Sequence, residues 1–470
     1  MAQRFDIIVI GGGAGGLVVA SVAAQLDLEV LLVDKHADMG GDCLHFGCVP
    51  SKTLLKSASV AHDMRHAEHW GLAPCNNKVE LARVNESIRQ VIASIQPHDS
   101  RERFESLGCT VLTGTARFIA NDCIEVNGER YSARRIVIAT GSVPAVPPIP
   151  GLKEIEYLTN ENMFDLPELP ESLLVLGGGP VGVEMAQAFC RLGSKVTLIE
   201  RAERILPAAE AYASEQLTKV LTGEGVDVIT GAEASLVAET DGKISLQLSD
   251  GRSISAARLL VAIGRRPELG SLELDAAGIE YDNRGVKVNR RLQTSNRKVY
   301  ACGDVTGVMP LTHVAELQAG IVIANIVFRM PKKVSYEVIP AVVYTDPEVA
   351  SVGITEQECL AHRHGEVHHF DMSSLDRAIT DRKTAGRAML LTIKGRIVGA
   401  HIVAPHAGEM IHELALAIQN RMKVSAISSL VHAYPAYAQL NKRLAGQYYS
   451  ERLFSGFSRR LVSWLWSLLP

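Results

Sequence analysis

Two cysteines carry the most reactive chemistry in this 470-residue sequence. Cys43 and Cys48 are separated by four residues, and two thiols at this spacing can close a disulfide if their geometry is compatible. The eight cysteines of the chain are irregularly spaced, and the N-terminus enters the apolar run Ile7–Ile10 without a leader that resembles a signal peptide. We therefore predict a cytoplasmic protein, in which a paired cysteine would be chemical and not structural.

A glycine-rich turn lies just before the cysteines. Gly11 to Gly16 fits the pattern G-x-G-x-x-G directly after the apolar run, and Asp34 ends the next apolar run at the expected distance. In such a turn Gly11 permits the sharp bend, Gly13 lets backbone amides approach a pyrophosphate, and Gly16 allows the helix to pack closely on the strand. Asp34 can bind ribose hydroxyls, so this region is predicted to bind a dinucleotide.

A second turn of the same kind follows about 170 residues later. Gly177 to Gly182 comes after the apolar run Leu173–Leu176, and Glu200 closes the next apolar run. A carboxylate at that position favours the free 2′-hydroxyl of NAD over the 2′-phosphate of NADP, although Arg201 beside it could soften the preference. The sequence therefore predicts a second dinucleotide, with NADH favoured over NADPH.

Strand-like runs alternate with helix-length segments through the first two thirds of the chain, which is typical of parallel sheets with crossover helices. Prolines crowd residues 144–150, as at many interdomain crossings. We predict an α/β protein with two Rossmann-like dinucleotide-binding domains and a C-terminal α+β domain, which the family resemblance given below implies is a dimerisation domain. With that resemblance, the expected boundaries are 1–148 with 265–335 for the first dinucleotide, 149–264 for the second, 336–450 for dimerisation, and 451–470 for a tail rich in Trp and Arg.

The composition is that of a folded globular protein. Hydrophobic residues make up 47% and charged residues 21%, and the formal net charge is -4. Phosphate binding needs a basic face, which this balance does not provide. Nucleic acid is therefore not expected as a partner.

The cysteine segment, GGDCLHFGCVPSK, resembles the redox motif of the class I flavoprotein disulfide reductases, the family of lipoamide dehydrogenase, glutathione reductase and mercuric reductase. The resemblance covers nearly the whole chain. Its further marks are IATGS at 138–142, AIGRRP at 262–267, YACGDV at 300–305 and VYTDPE at 343–348.

The resemblance implies FAD on the first unit, NAD(P)H on the second, and a homodimer. It also implies that Cys48 is the flavin-side charge-transfer thiol and Cys43 the interchange thiol, and that Lys52 and Glu184 pair near the flavin. The other cofactor-binding residues predicted in this way, with those of the two turns, are Ala14, Gly15, Lys35, Gly41, Asp42, Gly114, Ala116, Thr140, Gly141, Ser142, Gly179, Pro180, Val181, Gly264, Gly303, Asp304 and Ala315. In this family the aspartate at position 304 holds the ribityl chain of the flavin.

The substrate side departs from the family pattern. Lipoamide dehydrogenase and glutathione reductase use a histidine base from the partner subunit, followed by an orienting glutamate. Tyr434 stands at the position of the base and Gln439 at that of the acid. A phenol is a poor proton shuttle at neutral pH, and an amide cannot stabilise an imidazolium. His432 is the alternative base, but it lies two residues earlier in the chain.

Mercuric reductase resembles this chain in having tyrosine at the position of the base, but its C-terminal cysteine pair is missing, since the last cysteine is Cys359. We therefore predict an FAD-dependent NAD(P)H oxidoreductase that passes electrons through Cys43 and Cys48 to a small oxidant, an electrophile, a metal ion or a quinone. Dihydrolipoamide dehydrogenase is the first alternative. The second is a redox partner docked on a membrane through residues 454–470, where Trp, Leu and Arg could settle at the interface.

Two groups of histidines have a spacing that could bind a metal ion. His62, His66 and His69 fall on one face of an expected helix, and a second group spans 362–369. Neither group has interleaved carboxylates or cysteines in a ligand pattern. We interpret both groups as surface histidines and predict no resident metal.

Overall fold

The computed structural model describes residues 2–75 and 78–469, so Met1, Asn76, Asn77 and Pro470 lie outside the described residues. The chain divides into two compact units. Unit 1 comprises 1–177, 191–195 and 234–335, and unit 2 comprises 178–190, 196–233 and 336–470. Both contain helices and sheets, which confirms the predicted α/β class.

The helices are α1 Ala14–Ala24, α2 Gly41–His45, α3 Cys48–Arg65, α4 Leu81–Ile95, α5 Arg101–Ser106, α6 Pro180–Leu192, α7 Ala211–Gly223, α8 Thr312–Ile326, α9 Glu356–Leu360, α10 Asp376–Thr380, α11 Ala407–Gln419, α12 Val424–Ser428, α13 Gln439–Leu453 and α14 Gly456–Trp466.

The strands up to residue 261 are β1 Gln3–Ile10, β2 Val30–Asp34, β3 Cys109–Thr113, β4 Ala116–Ala120, β5 Cys123–Val126, β6 Glu129–Ile138, β7 Ser142–Pro144, β8 Ser172–Leu176, β9 Lys195–Ile199, β10 Asp227–Ile229, β11 Ala234–Thr240, β12 Lys243–Leu248, β13 Ser253–Ala256 and β14 Arg258–Val261. The later strands are β15 Arg265–Pro267, β16 Tyr281–Asp282, β17 Gly285–Val286, β18 Val299–Ala301, β19 Ala341–Val343, β20 Glu348–Gly353, β21 Gly365–Asp371, β22 Arg387–Ile393 and β23 Arg396–Ala404.

The main sheet of unit 1 has the order β3-β2-β1-β6-β5-β4, with β18 also pairing with β6. Strands β3, β2, β1, β6 and β18 run parallel, while β4 and β5 form an antiparallel extension. Apolar side chains on β1, β6 and β18 are buried in one core, since strands covered on both faces must be apolar throughout. A parallel sheet of this kind places the carboxyl ends of its strands along one edge.

Four of these carboxyl ends lead into predicted site residues. Strand β1 runs into Gly11, β2 ends on Asp34, β6 leads to Thr140, and β18 leads to Asp304 two residues after Cys302. Residues that are far apart in the sequence thus reach the same edge of the sheet.

The remaining sheets of unit 1 are smaller. Strands β11, β12 and β13 form an antiparallel meander, β7 pairs with β15, β16 pairs with β17, and β14 runs parallel to β8. In unit 2, β9 pairs in parallel with β10. A five-stranded antiparallel sheet in the order β19-β20-β23-β22-β21 packs against α11, and α13 also covers it. This α+β arrangement is the one predicted for the third region.

The histidine groups differ from the prediction in two respects. Helix α3 ends at Arg65, so His66 is its C-cap and His69 lies in a separate 3-10 turn. In the second group, His368 is buried, because β21 alternates its side chains between the two faces of the sheet and His369 takes the exposed face. The surface interpretation is therefore wrong for His368. Within residues 2–75 and 78–469, no group of three or more His, Cys, Asp or Glu side chains is arranged to hold a metal ion.

None of the helices formed by the described residues has the length and apolar character needed to cross a membrane.

Candidate active site

The two cysteines lie at a break between two helices of unit 1. Cys43 is in α2 and Cys48 is the first residue of α3, while Phe46 and Gly47 between them leave the helical conformation. A side chain at Gly47 would approach the Asp42 carboxylate to 2.8 Å, so the turn needs glycine. Both cysteines are free thiols in the structure, and a hydrogen bond joins them. The spacing of four residues therefore brings the two sulfurs together across a turn.

The surroundings of Cys48 stabilise a thiolate. Hydrogen bonds from the Cys43 thiol and from Thr312 Oγ1, which lies 3.4 Å from Cys48 Sγ, together with the charge of Lys52 lower the pKa of Cys48 to about 6. Lys52 is one helical turn further along α3, and the sulfur lies at the N-terminus of that helix, where a negative charge is favoured. Partial burial opposes the shift without cancelling it.

Cys43 has the opposite character. Its hydrogen bond to Cys48, followed by burial and by the negative charge of the Cys48 thiolate, raises the pKa of the Cys43 thiol well above its ordinary range. The reduced pair therefore consists of a thiolate at Cys48 and a thiol at Cys43.

The cysteine segment packs directly on the first glycine-rich turn. Gly40 N donates to Gly12 O at 2.8 Å, and a side chain at Gly41 would come within 2.8 Å of Gly13 Cα. Gly41 also has a φ of 61°, in the left-handed region that favours glycine. Only two glycine backbones can approach so closely, and this contact brings α2 to the start of α1.

The start of α1 fits a pyrophosphate. Its N-cap is Gly13, which has no side-chain cap, and Ala14, Gly15 and Gly16 form the first turn without an acidic residue. The first amides of a helix have no partners within the helix and favour a bound anion. A side chain at Gly16 would collide with Gly11 O, so this glycine allows the helix to pack on the end of β1.

Asp34 is held at the same turn. Its Oδ2 accepts from Gly12 N at 2.5 Å and its Oδ1 from His36 N at 2.7 Å. An ionised carboxylate has about four lone-pair sites, so both oxygens retain capacity for a hydroxyl. Lys35 points elsewhere and pairs with Glu268 at 3.6 Å.

A polar network connects the end of β18 with the cysteine segment. Ser142 Oγ donates to Asp304 Oδ2 at 2.7 Å, and Arg265 donates to Ser142 Oγ and to its carbonyl, each at 2.7 Å. The same guanidinium lies 3.0 Å from Asp42 Oδ1, which also accepts from Asn160 Nδ2 at 3.0 Å. The predicted residues Asp42, Ser142 and Asp304 are thus brought together by Arg265, which the sequence analysis had not named as a site residue.

The other predicted residues of unit 1 lie along the carboxyl edge of the main sheet or next to it. Gly114 N donates to Asp34 O at 2.7 Å and Ala116 begins β4. Gly303 N donates to Gln318 Oε1 at 2.7 Å, and Ala315, one turn into α8, packs against Gly303.

Three further predicted residues form backbone links around β7 and β15. Thr140 Oγ1 donates to Glu268 O at 3.1 Å, Gly141 O accepts from Glu268 N at 3.3 Å, and Gly264 O accepts from Ala145 N at 3.0 Å.

The second glycine-rich turn has the same local construction as the first. Glu200 Oε2 accepts from Gly178 N at 2.6 Å and Oε1 accepts from Ala202 N at 2.7 Å. A side chain at Gly179 would meet open space, and α6 begins at Pro180, with Val181 exposed and Gly182 in its first turn. The turn is therefore open on the side where backbone amides could meet a phosphate.

Gly177 has a φ of 113°, and a side chain there would approach Ala262 O to 2.5 Å, as the first glycine of the pattern requires. Arg201 is 78% exposed and lies 3.8 Å from Glu233. Arg201, which follows Glu200 in the sequence, thus has its guanidinium near the Glu233 carboxylate.

Glu184 is buried in α6, and its Oε1 accepts from Tyr344 N at 2.8 Å. Lys52 belongs to unit 1 and Glu184 to unit 2. The ion pair between them stays a prediction.

The segment 431–439 of unit 2 contains the position predicted for the base. Tyr434 is 66% exposed, and a hydrogen bond to Asp376 raises the pKa of its phenol. Gln439 is the first residue of α13. The charge of Arg443 opposes the rise in the pKa of Tyr434 without cancelling it.

His432 points into its own subunit. Its Nε2 donates to Glu413 Oε1 at 3.1 Å, and its side chain is only 5% exposed. Glu413 also accepts from Asn441 Nδ2 at 2.7 Å, and Asn441 donates to Met410 O at 3.0 Å. The histidine therefore fastens the start of the segment to α11 and α13.

Comparison with known proteins agrees with this geometry. Residues 5–319 match the pyridine nucleotide-disulphide oxidoreductase family, and residues 339–444 match the dimerisation domain of that family. The chain belongs to the pyridine nucleotide-disulphide oxidoreductases. This confirms the resemblance inferred from the cysteine segment, together with the predicted FAD and NAD(P)H, since members of the family depend on both. The dimerisation domain supports the predicted homodimer.

The relatives of this oxidoreductase have different substrates. It is 34% identical over 445 residues to a mercuric reductase from Bacillus cereus, covering 93% of this chain and 70% of the relative. It is 37% identical over 451 residues to a dihydrolipoyl dehydrogenase from Thermus scotoductus, covering 93% and 96%. It also resembles the HOCl-induced flavoprotein disulfide reductase RclA from Escherichia coli in its Cu(II) complex, with a TM-score of 0.86 and 25% identity over 94% of this chain and 99% of that chain.

Sequence reasoning missed several residues that shape the site. Thr312 begins α8 and comes from 264 residues beyond Cys48, so its position reports a tertiary contact that no local pattern encodes. Arg265 was visible inside the AIGRRP segment, where it begins the short strand β15. Glu413 and Asn441 gave no signal, because an acid and an amide on helices usually face solvent.

Proposed function

We propose that this oxidoreductase uses NADH, through FAD and the Cys43–Cys48 pair, to reduce a thiol-binding metal ion such as Cu²⁺. The observation that carries the proposal is the contrast between the two positions. The Cys48 sulfur lies at the N-terminus of α3, 3.4 Å from Thr312 Oγ1, while an exposed tyrosine, Tyr434, stands at the position predicted for the base. A metal ion accepts electrons without needing a proton for a leaving thiol, so it suits a site that has lost its base.

The reaction balances without a proton donor. Each of two Cu²⁺ ions takes one electron, the Cys43 thiol and the Cys48 thiolate form the disulfide, and the proton of Cys43 is released. NADH then returns two electrons and one proton, which break the S–S bond and restore the thiol and the thiolate. The net reaction is NADH with two Cu²⁺ giving NAD⁺, two Cu⁺ and one proton.

Cys43 is the residue we assign to the incoming ion. Its raised pKa makes it a poor nucleophile toward an organic disulfide unless a base removes the proton, because the thiolate is the reactive form. A soft metal ion can displace that proton by binding sulfur directly. Lys52 and Thr312 keep Cys48 as a thiolate beside it.

The first unit has the residues to hold FAD. The start of α1 would take the pyrophosphate, Asp34 the ribose, and Asp304 with Ser142 and Arg265 the ribityl region. When bound, FAD supplies the two-electron carrier between the nicotinamide and the sulfur pair. On the second unit, Glu200 would select NADH, and we keep the predicted pairing of Lys52 with Glu184 as part of this proposal.

His432 is not the missing base in this proposal. Its Nε2 is committed to Glu413 and its ring is almost completely covered. A general base must come within hydrogen-bond reach of the proton it removes, and a ring held in this way has no free nitrogen to offer a substrate.

The relatives support the choice of substrate class. One is named a mercuric reductase, and RclA was solved with Cu(II). A metal ion is therefore named with two of the proteins that are similar to this one.

The test is an anaerobic assay of NADH oxidation with Cu²⁺ in a weakly chelating buffer, with Cu⁺ trapped by a Cu(I)-specific chelator. We expect two Cu⁺ for each NADH, and a loss of at least about 100-fold in Cys43→Ser. The matched control is Cys75→Ser, a half-buried cysteine outside the motif. Full turnover with every acceptor in Cys43→Ser would remove the cysteine route.

Dihydrolipoamide dehydrogenase is the second candidate. The observation in its favour is the 37% identity to a dihydrolipoyl dehydrogenase along 96% of that relative. A steady-state assay with dihydrolipoamide and NAD⁺ decides it. Turnover typical of that enzyme would establish this function, and we expect only a trace.

A further inference from the structure

The segment 454–469 exposes many apolar side chains. Helix α14 has no buried residue in the described part of the chain. Its exposed apolar side chains include both tryptophans of the segment, at 58% and 74% exposure. The exposed apolar residues of the whole segment are Phe454, Phe457, Leu461, Val462, Trp464, Leu465, Trp466, Leu468 and Leu469.

The residues of α14 separate into two faces. Phe457, Leu461, Trp464 and Leu465 have the three- and four-residue spacing that places side chains on one side of a helix. Arg459 falls on the opposite side, which it shares with Trp466 seven residues later. Helix α14 is therefore amphipathic, with an apolar side that has no cover among the described residues.

The charge of the segment has a single sign. Residues 452–470 contain three arginines and no aspartate or glutamate. Arg452 is already engaged, since it donates to both oxygens of Glu366 at 2.7 and 2.8 Å. Arg459 and Arg460 thus remain to face a partner, and their charge is complementary to an anionic surface.

The base of the segment is fixed to unit 2. The guanidinium of Arg452 lies 3.7 Å from the centroid of the Tyr448 ring, and its ion pair with Glu366 joins α13 to β21. Helix α14 starts again three residues later, where Ser455 Oγ accepts from Ser458 N at 3.3 Å. The amphipathic helix therefore follows directly from an anchored point.

We propose that residues 454–469 bind the surface of a membrane that contains anionic phospholipid. An 11-residue helix is about 16 Å long, against a hydrocarbon core of about 30 Å, so α14 lies in the interface and does not cross it. Tryptophan prefers the interfacial level, and arginine binds the anionic headgroups. Leucine and phenylalanine on the apolar side enter the acyl boundary.

The test uses the full-length holoenzyme with Trp70→Phe, so that Trp464 and Trp466 are the only tryptophans. The protein is sedimented with sucrose-loaded vesicles of phosphatidylcholine alone or mixed with phosphatidylglycerol, and tryptophan emission is recorded. We expect binding only to the mixed vesicles, with a blue shift, and weaker binding as salt is raised.

Arg459→Gln with Arg460→Gln should weaken vesicle binding about thirtyfold, and replacement of both by lysine should retain it. The matched control is Arg83→Gln with Arg89→Gln, two exposed arginines on α4. Trp464→Ser with Trp466→Ser should also abolish binding.

Two results would overturn the proposal. One is equal sedimentation of wild type and the double arginine variant with mixed vesicles. The other is a rise in molar mass without vesicles that disappears in Trp464→Ser with Trp466→Ser, because the apolar side of α14 would then bind a second copy of this chain.

Discussion

The surroundings of Cys48 and those of Tyr434 treat a proton in opposite ways. Around Cys48, a thiol, a hydroxyl and the charge of Lys52 all favour the ionised sulfur. Around Tyr434, the Asp376 carboxylate favours the protonated phenol. In the function proposed above, electron delivery and proton handling therefore depend on separate groups of residues.

The largest effect is expected when a base is placed at position 434. Tyr434→His combined with Gln439→Glu should raise dihydrolipoamide oxidation by NAD⁺ by about 100-fold, since a positioned base typically contributes that much or more. The assay is steady-state NADH formation at neutral pH.

The control for this double variant is the Cu²⁺ reaction, which should change little. The metal reaction needs no base in our proposal. If the double variant gained nothing with dihydrolipoamide, the loss of that activity would have a cause other than position 434.

Removing a contact that stabilises the Cys48 thiolate should favour the protonated thiol. Thr312→Val removes the hydroxyl beside Cys48 Sγ and should raise the pKa of Cys48 from about 6 by about one unit, because a hydrogen bond to a charged group contributes about 1.5 kcal/mol or more. The thiolate is present above its pKa and lost as the pH falls through it. The pH dependence of thiolate absorbance, in a Cys43→Ser background that keeps a hydroxyl donor, measures the shift.

Lys52→Met should shift the same titration in the same direction by less, because its charge acts through space, whereas the Thr312 hydroxyl contacts the sulfur directly. Lys56→Met, one turn further along α3, is the matched control. Unchanged titrations in both Thr312→Val and Lys52→Met would show that the low pKa has another origin.

The second glycine-rich turn is expected to determine which nucleotide supplies electrons to the Cys43–Cys48 pair. Wild type should have a higher kcat/KM for NADH than for NADPH, since the Glu200 carboxylate repels a 2′-phosphate. Glu200→Ala should reduce this preference by about tenfold, the effect of about 1.4 kcal/mol. Steady-state kinetics with both nucleotides measure it, and a preference for NADPH in wild type would contradict our reading of Glu200.

The smallest effect is expected at the contact between Glu413 and His432. Glu413→Gln weakens the contact that holds His432 and should lower the free energy of unfolding by about 1 kcal/mol, because a hydrogen bond to a charged carboxylate becomes one to a neutral amide oxygen. Denaturant unfolding measures it, with exposed Glu409→Gln on the same helix as control. A large gain or loss of Cu²⁺ reduction in Glu413→Gln would show that the anchor takes part in the reaction.

The sequence revealed the parts of this fold that depend on local geometry. Gly41 and Gly177 are recognisable because their backbones need positive φ or a close approach, and the strands before them are apolar because both faces of the sheet are covered. The cysteine segment was recognisable because its residues resemble the redox motif of a known family.

The contacts that define the chemistry could not be read in the same way. Thr312 reaches Cys48 only after α8 has packed on α1, and Arg265 joins Ser142 to Asp42 only when β7 and β15 have paired. His432 was a candidate base because of its residue type alone, whereas its pairing with Glu413 depends on the packing of α11. Such contacts follow from tertiary structure, which periodicity does not report.

The most direct test of the central claim is the ratio of two rates on one preparation of the wild-type holoenzyme. The rates are kcat/KM for Cu²⁺ with NADH and kcat/KM for dihydrolipoamide with NAD⁺, both measured anaerobically at neutral pH. We predict that the metal reaction is faster by at least about 100-fold, the usual contribution of the base that is missing. A dihydrolipoamide rate equal to or above the metal rate would contradict the account, because a chain without a working base would then be performing the reaction that needs one.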